Sequence, residues 1–204
     1  MNRVFQFLHK NNQQRMVVIV SGLPRSGTSM MMKMLEAGGI PALTDNLRSA
    51  DDDNPKGYYE FERVKKLPEG DHAWLDEAQG KSVKVISALL EHLPPAYDYK
   101  VIFMLREMGE ILASQRQMLI RTGKPTDTVS DGKLAEMYRK HLARVEAWLK
   151  AQPNISAHLV DYNQMLKDPR PTVQQIEEFL GGQLDSERMM GVVDPSLYRQ
   201  RRAR

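Results

Sequence analysis

Between Met16 and Ser29 the chain reads MVVIVSGLPRSGTS, an apolar run of strand length that enters a glycine-bearing turn and then a helix start. Such a turn holds phosphate. Its backbone N–H groups converge on one concavity, and the positive end of the following helix adds to their field. Gly22 and Gly27 have the spacing of a Walker A loop, yet Thr28 occupies the position where a nucleotide triphosphatase carries lysine. The nearest cation is Arg25, inside the turn, and a planar guanidinium suits a multi-oxygen anion. This reading points to a nucleotide other than ATP.

The segment Leu-Pro-Arg-Ser-Gly-Thr-Ser, residues 23–29, resembles the 5′-phosphosulfate loop of the sulfotransferase superfamily. Those enzymes move a sulfuryl group from 3′-phosphoadenosine 5′-phosphosulfate (PAPS) to an acceptor. The resemblance implies that Pro24, Arg25, Ser26, Gly27, Thr28 and Ser29 bind the nucleotide and that Arg25 also stabilises charge on the leaving phosphate. A second likeness follows the run YKVIFML, which ends at Arg106, with Ser114 eight residues on. In the superfamily an Arg and a Ser so placed grip the 3′-phosphate. Eight residues are a little over two helical turns, so Ser114 returns to the side of its helix that faces the sheet edge. Met108 stands where the family often has Pro, and Glu110 where it often has Asp; the alternative is an Arg106–Glu110 surface ion pair.

A third likeness runs from Val160 to Gly182, with Tyr162, Asp168 and Pro169 in register with the family's strand, tyrosine, Asp-Pro turn and helix. It implies Tyr162 against the adenine; a packed tyrosine at a strand end is the other reading. Lys84 ends the run SVKV where cytosolic relatives carry a Lys-Thr-His triplet, implying a cation near the bridging oxygen. Ile86 replaces the triplet's histidine, so the general base must be another residue. Some members use a glutamate, which makes Glu60 in NPKGYYEFE the first candidate, with Tyr58 and Tyr59 as apolar cover. A glutamate favoured by a helix N-terminus is the competing account. Asp52, Asp53 and His72 are weaker candidates, while His92, His141 and His158 show no catalytic or metal spacing. Near the end, Arg199 is a further nucleotide contact suggested by basic residues in several relatives.

Elements that position these residues are legible as strand-length apolar runs at 16–21, 81–87, 99–105 and 155–160. Helical periodicity lies at 28–38, 60–66, 71–79, 107–122, 131–151 and 171–181, the last closed by Gly181 and Gly182. Alternation of this kind specifies an α/β fold: a three-layer P-loop arrangement with a mainly parallel central sheet and helices on both faces. Met30, Met31, Met32 and Met34 on the first helix read as flexible core filling. The polar stretch 45–57 and the segment 123–133 are the expected walls of an acceptor pocket, their mixture favouring a polar, hydroxylated small molecule or carbohydrate.

At 204 residues and 41% hydrophobic, the chain is expected to form one domain, 1–204, with an extension at 1–15 and a basic tail at 199–204. The net charge is only +3, with arginines at 199, 201, 202 and 204, which argues against nucleic-acid binding. With no cysteine, thiol nucleophiles, disulfides and thiolate metal sites are excluded. A cytoplasmic protein without membrane association is expected, since no apolar run spans a bilayer or forms a signal peptide. The reaction needs no metal under this reading. Two other classes stay open: a P-loop kinase or phosphotransferase using ATP and magnesium, and a nucleotide-binding module without catalysis.

Overall fold

A computed structural model describes residues 16–45, 59–126, 128–182 and 184–193. Four strands carry the alternating or continuous apolar pattern: β1 Met16–Gly22, β2 Ser82–Lys84, β3 Asp98–Leu105 and β4 Ile155–Asp161. They form one parallel sheet in the order β2-β1-β3-β4. Parallel pairing requires crossovers, so both faces are covered. Successive β1 residues therefore feed different cores. Val17 and Ile19 join Val101, Phe103, Trp74 and Leu75 on one face. Val18 and Val20 join Ile102, Met104 and the helical methionines Met31, Met32 and Met34 on the other. The methionines are fully buried, as core filling requires.

The helices are α1 Thr28–Ala37, α2 Leu75–Ala78, α3 Met108–Arg121, α4 Asp131–Ala151, α5 Tyr162–Lys167, α6 Pro169–Leu180 and α7 Ser186–Val192, with 3-10 segments at Glu62–Glu69 and Ser87–His92. Helix α4 presents Val145 and Leu149 to the first core; α6 presents Val173, Ile176 and Leu180 to the second.

Several expectations need adjustment. The run 81–87 is a strand only to Lys84; Val85 still donates to the Val20 carbonyl, and the chain then turns into a 3-10 segment. The helix expected at 60–66 is a 3-10 segment two residues later, ended by the left-handed Gly70 and containing Pro68 near that end, which has no N–H for an α-helical bond. The 71–79 helix shrinks to Leu75–Ala78. Helix α6 starts two residues before the expected 171, because the Asp168 carboxylate accepts from the Arg170 N–H and Pro169 suits the first turn. Helices α5 and α7 lay outside the expectation. Each is short and begins after an aspartate, Asp161 or Asp185, that caps it.

Strand order places the switch point between β1 and β3, which the chain leaves in opposite directions. In parallel sheets the crevice beyond the strand ends at that point is where ligands bind. Among the described residues no helix is long and apolar enough to cross a membrane.

The far strand supplies a test of the packing. On β4, the His158 ring lies 5.4 Å from the Phe179 ring, its Nε2 is buried without a partner among the described residues, and burial lowers its pKa from 6.5. The native state thus keeps His158 neutral where the unfolded chain takes up a proton. Its contribution to stability is whole above pH about 6.5 and is lost as the pH falls below that value. His158→Phe should therefore lose less stability than wild type between pH 7.5 and 5.5 in urea unfolding; parallel losses would contradict the assignment.

Candidate functional site

Strand β1 ends in Gly22 with φ 148°, and a Cβ there would lie 2.7 Å from the Met104 carbonyl oxygen. Only glycine lets the turn approach β3 so closely. The turn ends at Gly27, in the left-handed region at φ 99°, where a Cβ would lie 2.6 Å from Cε2 of Tyr162. From there α1 starts with no side-chain cap and no acidic residue in its first turn. The amides of Gly27, Thr28 and Ser29 thus form a positive, uncluttered helix start suited to an anion.

Arg25 also has a left-handed backbone, φ 72°, which is uncommon for a side-chain-bearing residue and costs on the order of 1–3 kcal/mol. Hydrogen bonds on both its side chain and its carbonyl hold it there. Its Nε donates to Ser114 Oγ at 2.8 Å, and its carbonyl accepts from Arg106 Nη1 at 3.0 Å. Arg25, Arg106 and Ser114 therefore do come together, but Ser114 bonds Arg25, while Arg106 bonds the turn itself. The expected Arg106–Glu110 contact exists as well, Nε to Oε2 at 3.0 Å. It is no surface pair: the side chains are 9% and 5% exposed.

Tyr162 opens α5 directly after β4, so its ring reaches under the β1–α1 turn. One part meets Gly27, and the Arg106 guanidinium carbon lies 4.6 Å from the ring centroid. Burial pushes its hydroxyl above the usual tyrosine range, partly offset by Arg106, so it stays neutral. At 7% exposure, the ring has at most an edge to offer a nucleobase. Ser26 is fully buried with its hydroxyl aimed back toward Gly22, and its N–H donates to the Leu23 carbonyl. Pro24 lies at the turn's surface.

Across β1 from Arg106, the end of β2 supplies Lys84. Its Nζ lies 3.4 Å from Ser29 Oγ and 3.9 Å from Glu60 Oε1, with the lysine side chain 10% exposed. Glu60 precedes the 3-10 segment and is held through its carbonyl, which accepts from Thr44 Oγ1 at 2.8 Å and the Asp45 N–H at 3.3 Å. Tyr59 does not simply cover Glu60: at φ 52° it packs toward α1 and donates to Glu36 Oε2 at 2.6 Å. Ile86, two residues past Lys84, is 44% exposed. Asp52, Asp53, Tyr58 and Arg199, with most of the stretch 45–57, lie outside the described residues. His72 sits beside Asp71, which Arg63 and Trp74 engage. His141 bonds Ser87 Oγ at 2.8 Å beneath α4, and burial lowers its pKa.

Sequence reasoning missed Asn163, which hydrogen-bonds both Glu107 and Glu110. No spacing signal marks it, although the four-residue separation of Arg106 and Glu110 is readable. The assembled site combines an amide cradle, two arginines on one side and a lysine–glutamate pair on the other. Such an arrangement can hold a multiply charged anion and places a carboxylate beside it.

A family model described as "Sulfotransferase domain" matches residues 15–203. A search of curated protein sequences finds no match. Among solved structures, the sulfotransferase domain from the Synechococcus PCC 7002 olefin synthase has a TM-score of 0.57 at 16% identity, over 94% of this chain and 90% of that one. Mouse sulfotransferase SULT7A1, complexed with PAP, has a TM-score of 0.57 at 18% identity, over 94% and 68%. Sulfotransferase STF1 from Mycobacterium tuberculosis H37Rv has a TM-score of 0.56 at 19% identity, over 92% and 74%. At these identities the likeness is one of fold.

The turn geometry leaves no room for a side chain at Gly27. Gly27→Ala forces a Cβ into the Tyr162 ring and a side chain onto a left-handed backbone; it should destabilise by more than about 1 kcal/mol in urea unfolding. An unchanged midpoint would mean that the turn does not pack on Tyr162.

Proposed function

Because the chain belongs to the sulfotransferase domain family, we propose that it transfers a sulfuryl group from PAPS to a hydroxyl or amine of a small-molecule or carbohydrate acceptor. The observation that carries this reading is the convergence of the β1–α1 turn, Arg25, Arg106 and Ser114 at the switch point of the sheet, with Lys84 and Glu60 alongside.

In this reading the amides of Gly27, Thr28 and Ser29 hold the 5′-phosphate, with Pro24 and Ser26 shaping the turn. Arg25 and Lys84 stabilise the negative charge that grows on that phosphate as the sulfur–oxygen bond breaks. Donors aimed at developing charge strengthen in the transition state, which is what accelerates the step. Arg106, with Ser114 behind Arg25, receives the 3′-phosphate. Tyr162 supports the turn and offers an edge to the adenine, and Arg199 is a further candidate contact. Cationic side chains and amides supply the charge stabilisation that a kinase takes from magnesium, so the proposal includes no metal.

Glu60 is the general base. Its carboxylate lies beside Lys84, so a proton taken from the acceptor oxygen would appear next to the group that faces the leaving phosphate. The acceptor oxygen attacks sulfur in line with the departing oxygen, while Glu60 accepts its proton. As in phosphoryl transfer, positioning supplies most of the rate. Ile86, exposed two residues past Lys84, is proposed to offer the acceptor an apolar contact, and the segments 45–57 and 123–133 are its proposed walls.

Glu60→Gln preserves size and removes the base. PAPS turnover with hydroxylated acceptors, without added metal, should fall by roughly 10²–10⁴-fold, while affinity for the product 3′-phosphoadenosine 5′-phosphate (PAP) stays within about twofold. Wild-type turnover by this variant would move the base to another residue.

A further inference from the structure

An arginine meant to receive a phosphate must be held in one orientation before the phosphate arrives, because ordering a long side chain on binding costs affinity. Arg106 is held by a chain of groups on helices α3 and α5 and at the β3–α3 junction. Its Nε donates to Glu110 Oε2 at 3.0 Å, and the same oxygen accepts from Asn163 Nδ2 at 3.0 Å. Asn163 in turn accepts the Glu107 N–H on Oδ1 at 3.0 Å. That backbone contact fixes which end of the amide is oxygen, so the other end must donate to Glu110. Asn163 therefore brackets the β3–α3 junction from the second residue of α5. Tyr162, its neighbour, supplies the ring surface 4.6 Å from the guanidinium carbon.

We infer that Glu110 and Asn163 are positioning residues for nucleotide recognition: they lock the plane of Arg106 through Nε, so that its terminal nitrogens serve the turn and the 3′-phosphate. This rests on the reading of Arg106 as the 3′-phosphate ligand. Three features favour orientation over simple charge balance. Glu110 touches the Nε side, while Nη1 reaches the Arg25 carbonyl. The pair is buried, where direction matters more than in water. Finally, Asn163 is neutral, and what it adds is geometry.

The test compares binding of PAP with that of 5′-AMP, which lacks the 3′-phosphate, by calorimetry on the full chain. Wild type should prefer PAP, and Arg106→Ala should abolish the preference. Asn163→Ala and Glu110→Ala should each lower the preference about tenfold or more, while 5′-AMP affinity changes less than about twofold. Glu110→Gln keeps an oxygen for Nε and should restore most of the preference. Glu110→Ala strands a buried guanidinium and can cost the fold; Asn163→Ala leaves that pair intact and decides the matter in that case. A wild-type preference in folded Asn163→Ala, equal losses for both nucleotides, or tighter PAP binding by Glu110→Ala would overturn the inference. If wild type shows no preference, or Arg106→Ala keeps it, the reading of Arg106 itself fails and the inference falls with it.

Discussion

The close approach of Gly27 to the Tyr162 ring is the constraint on which the site depends. It requires a residue without a Cβ at a left-handed position, and it sets how far the β1–α1 turn drops toward the junction of β4 and α5. With the turn at that depth, the Arg25 carbonyl comes within hydrogen-bond reach of Arg106 at the end of β3. Three consecutive neighbours in the sheet, β1, β3 and β4, are thus joined at their C-terminal ends by contacts that do not belong to the sheet ladder. The strain at Arg25 is tolerated because both its side chain and its carbonyl are engaged.

Two of the site's cations, Arg106 and Lys84, each have an acid beside them, while Arg25 bonds the Ser114 hydroxyl. Arg106 and Glu110 are almost wholly buried, and removing either would leave an uncompensated charge in a poorly solvated place. Lys84 and Glu60 are looser at 3.9 Å and more exposed. The tight pair fits a structural and binding role. The loose pair fits groups that change partners or protonation during a reaction. The distinction follows from burial and distance alone, and it matches the proposed division between nucleotide recognition on the β3 side and chemistry on the β2 side.

Much of this was legible in the residues. The strand-turn-helix order at 16–29 marks the cradle, since glycine spacing and the missing P-loop lysine are direct statements about backbone approach and charge. Arg106 and Ser114 could be grouped by spacing, but their actual wiring could not: whether Ser114 meets Arg106 or Arg25 depends on the depth of the turn, a tertiary distance. Tyr162 shows the same limit, because its neighbours Gly27 and Arg106 are far from it in sequence. Asn163 carries no periodic or compositional signal at all. Among the elements, long periodic helices such as α4 were readable end to end, while α5 and α7 are too short for a period and announce themselves only through their aspartate caps.

The central claim is that this turn, lacking the P-loop lysine, serves a 3′-phosphorylated adenosine nucleotide and not the magnesium complex of a nucleoside polyphosphate. Calorimetric titration of the wild-type chain with PAP in the presence of a chelator, beside ADP with magnesium, tests it directly. The account predicts metal-independent PAP binding that is tighter than binding of ADP with magnesium. A preference for ADP with magnesium would contradict it and favour phosphoryl over sulfuryl transfer.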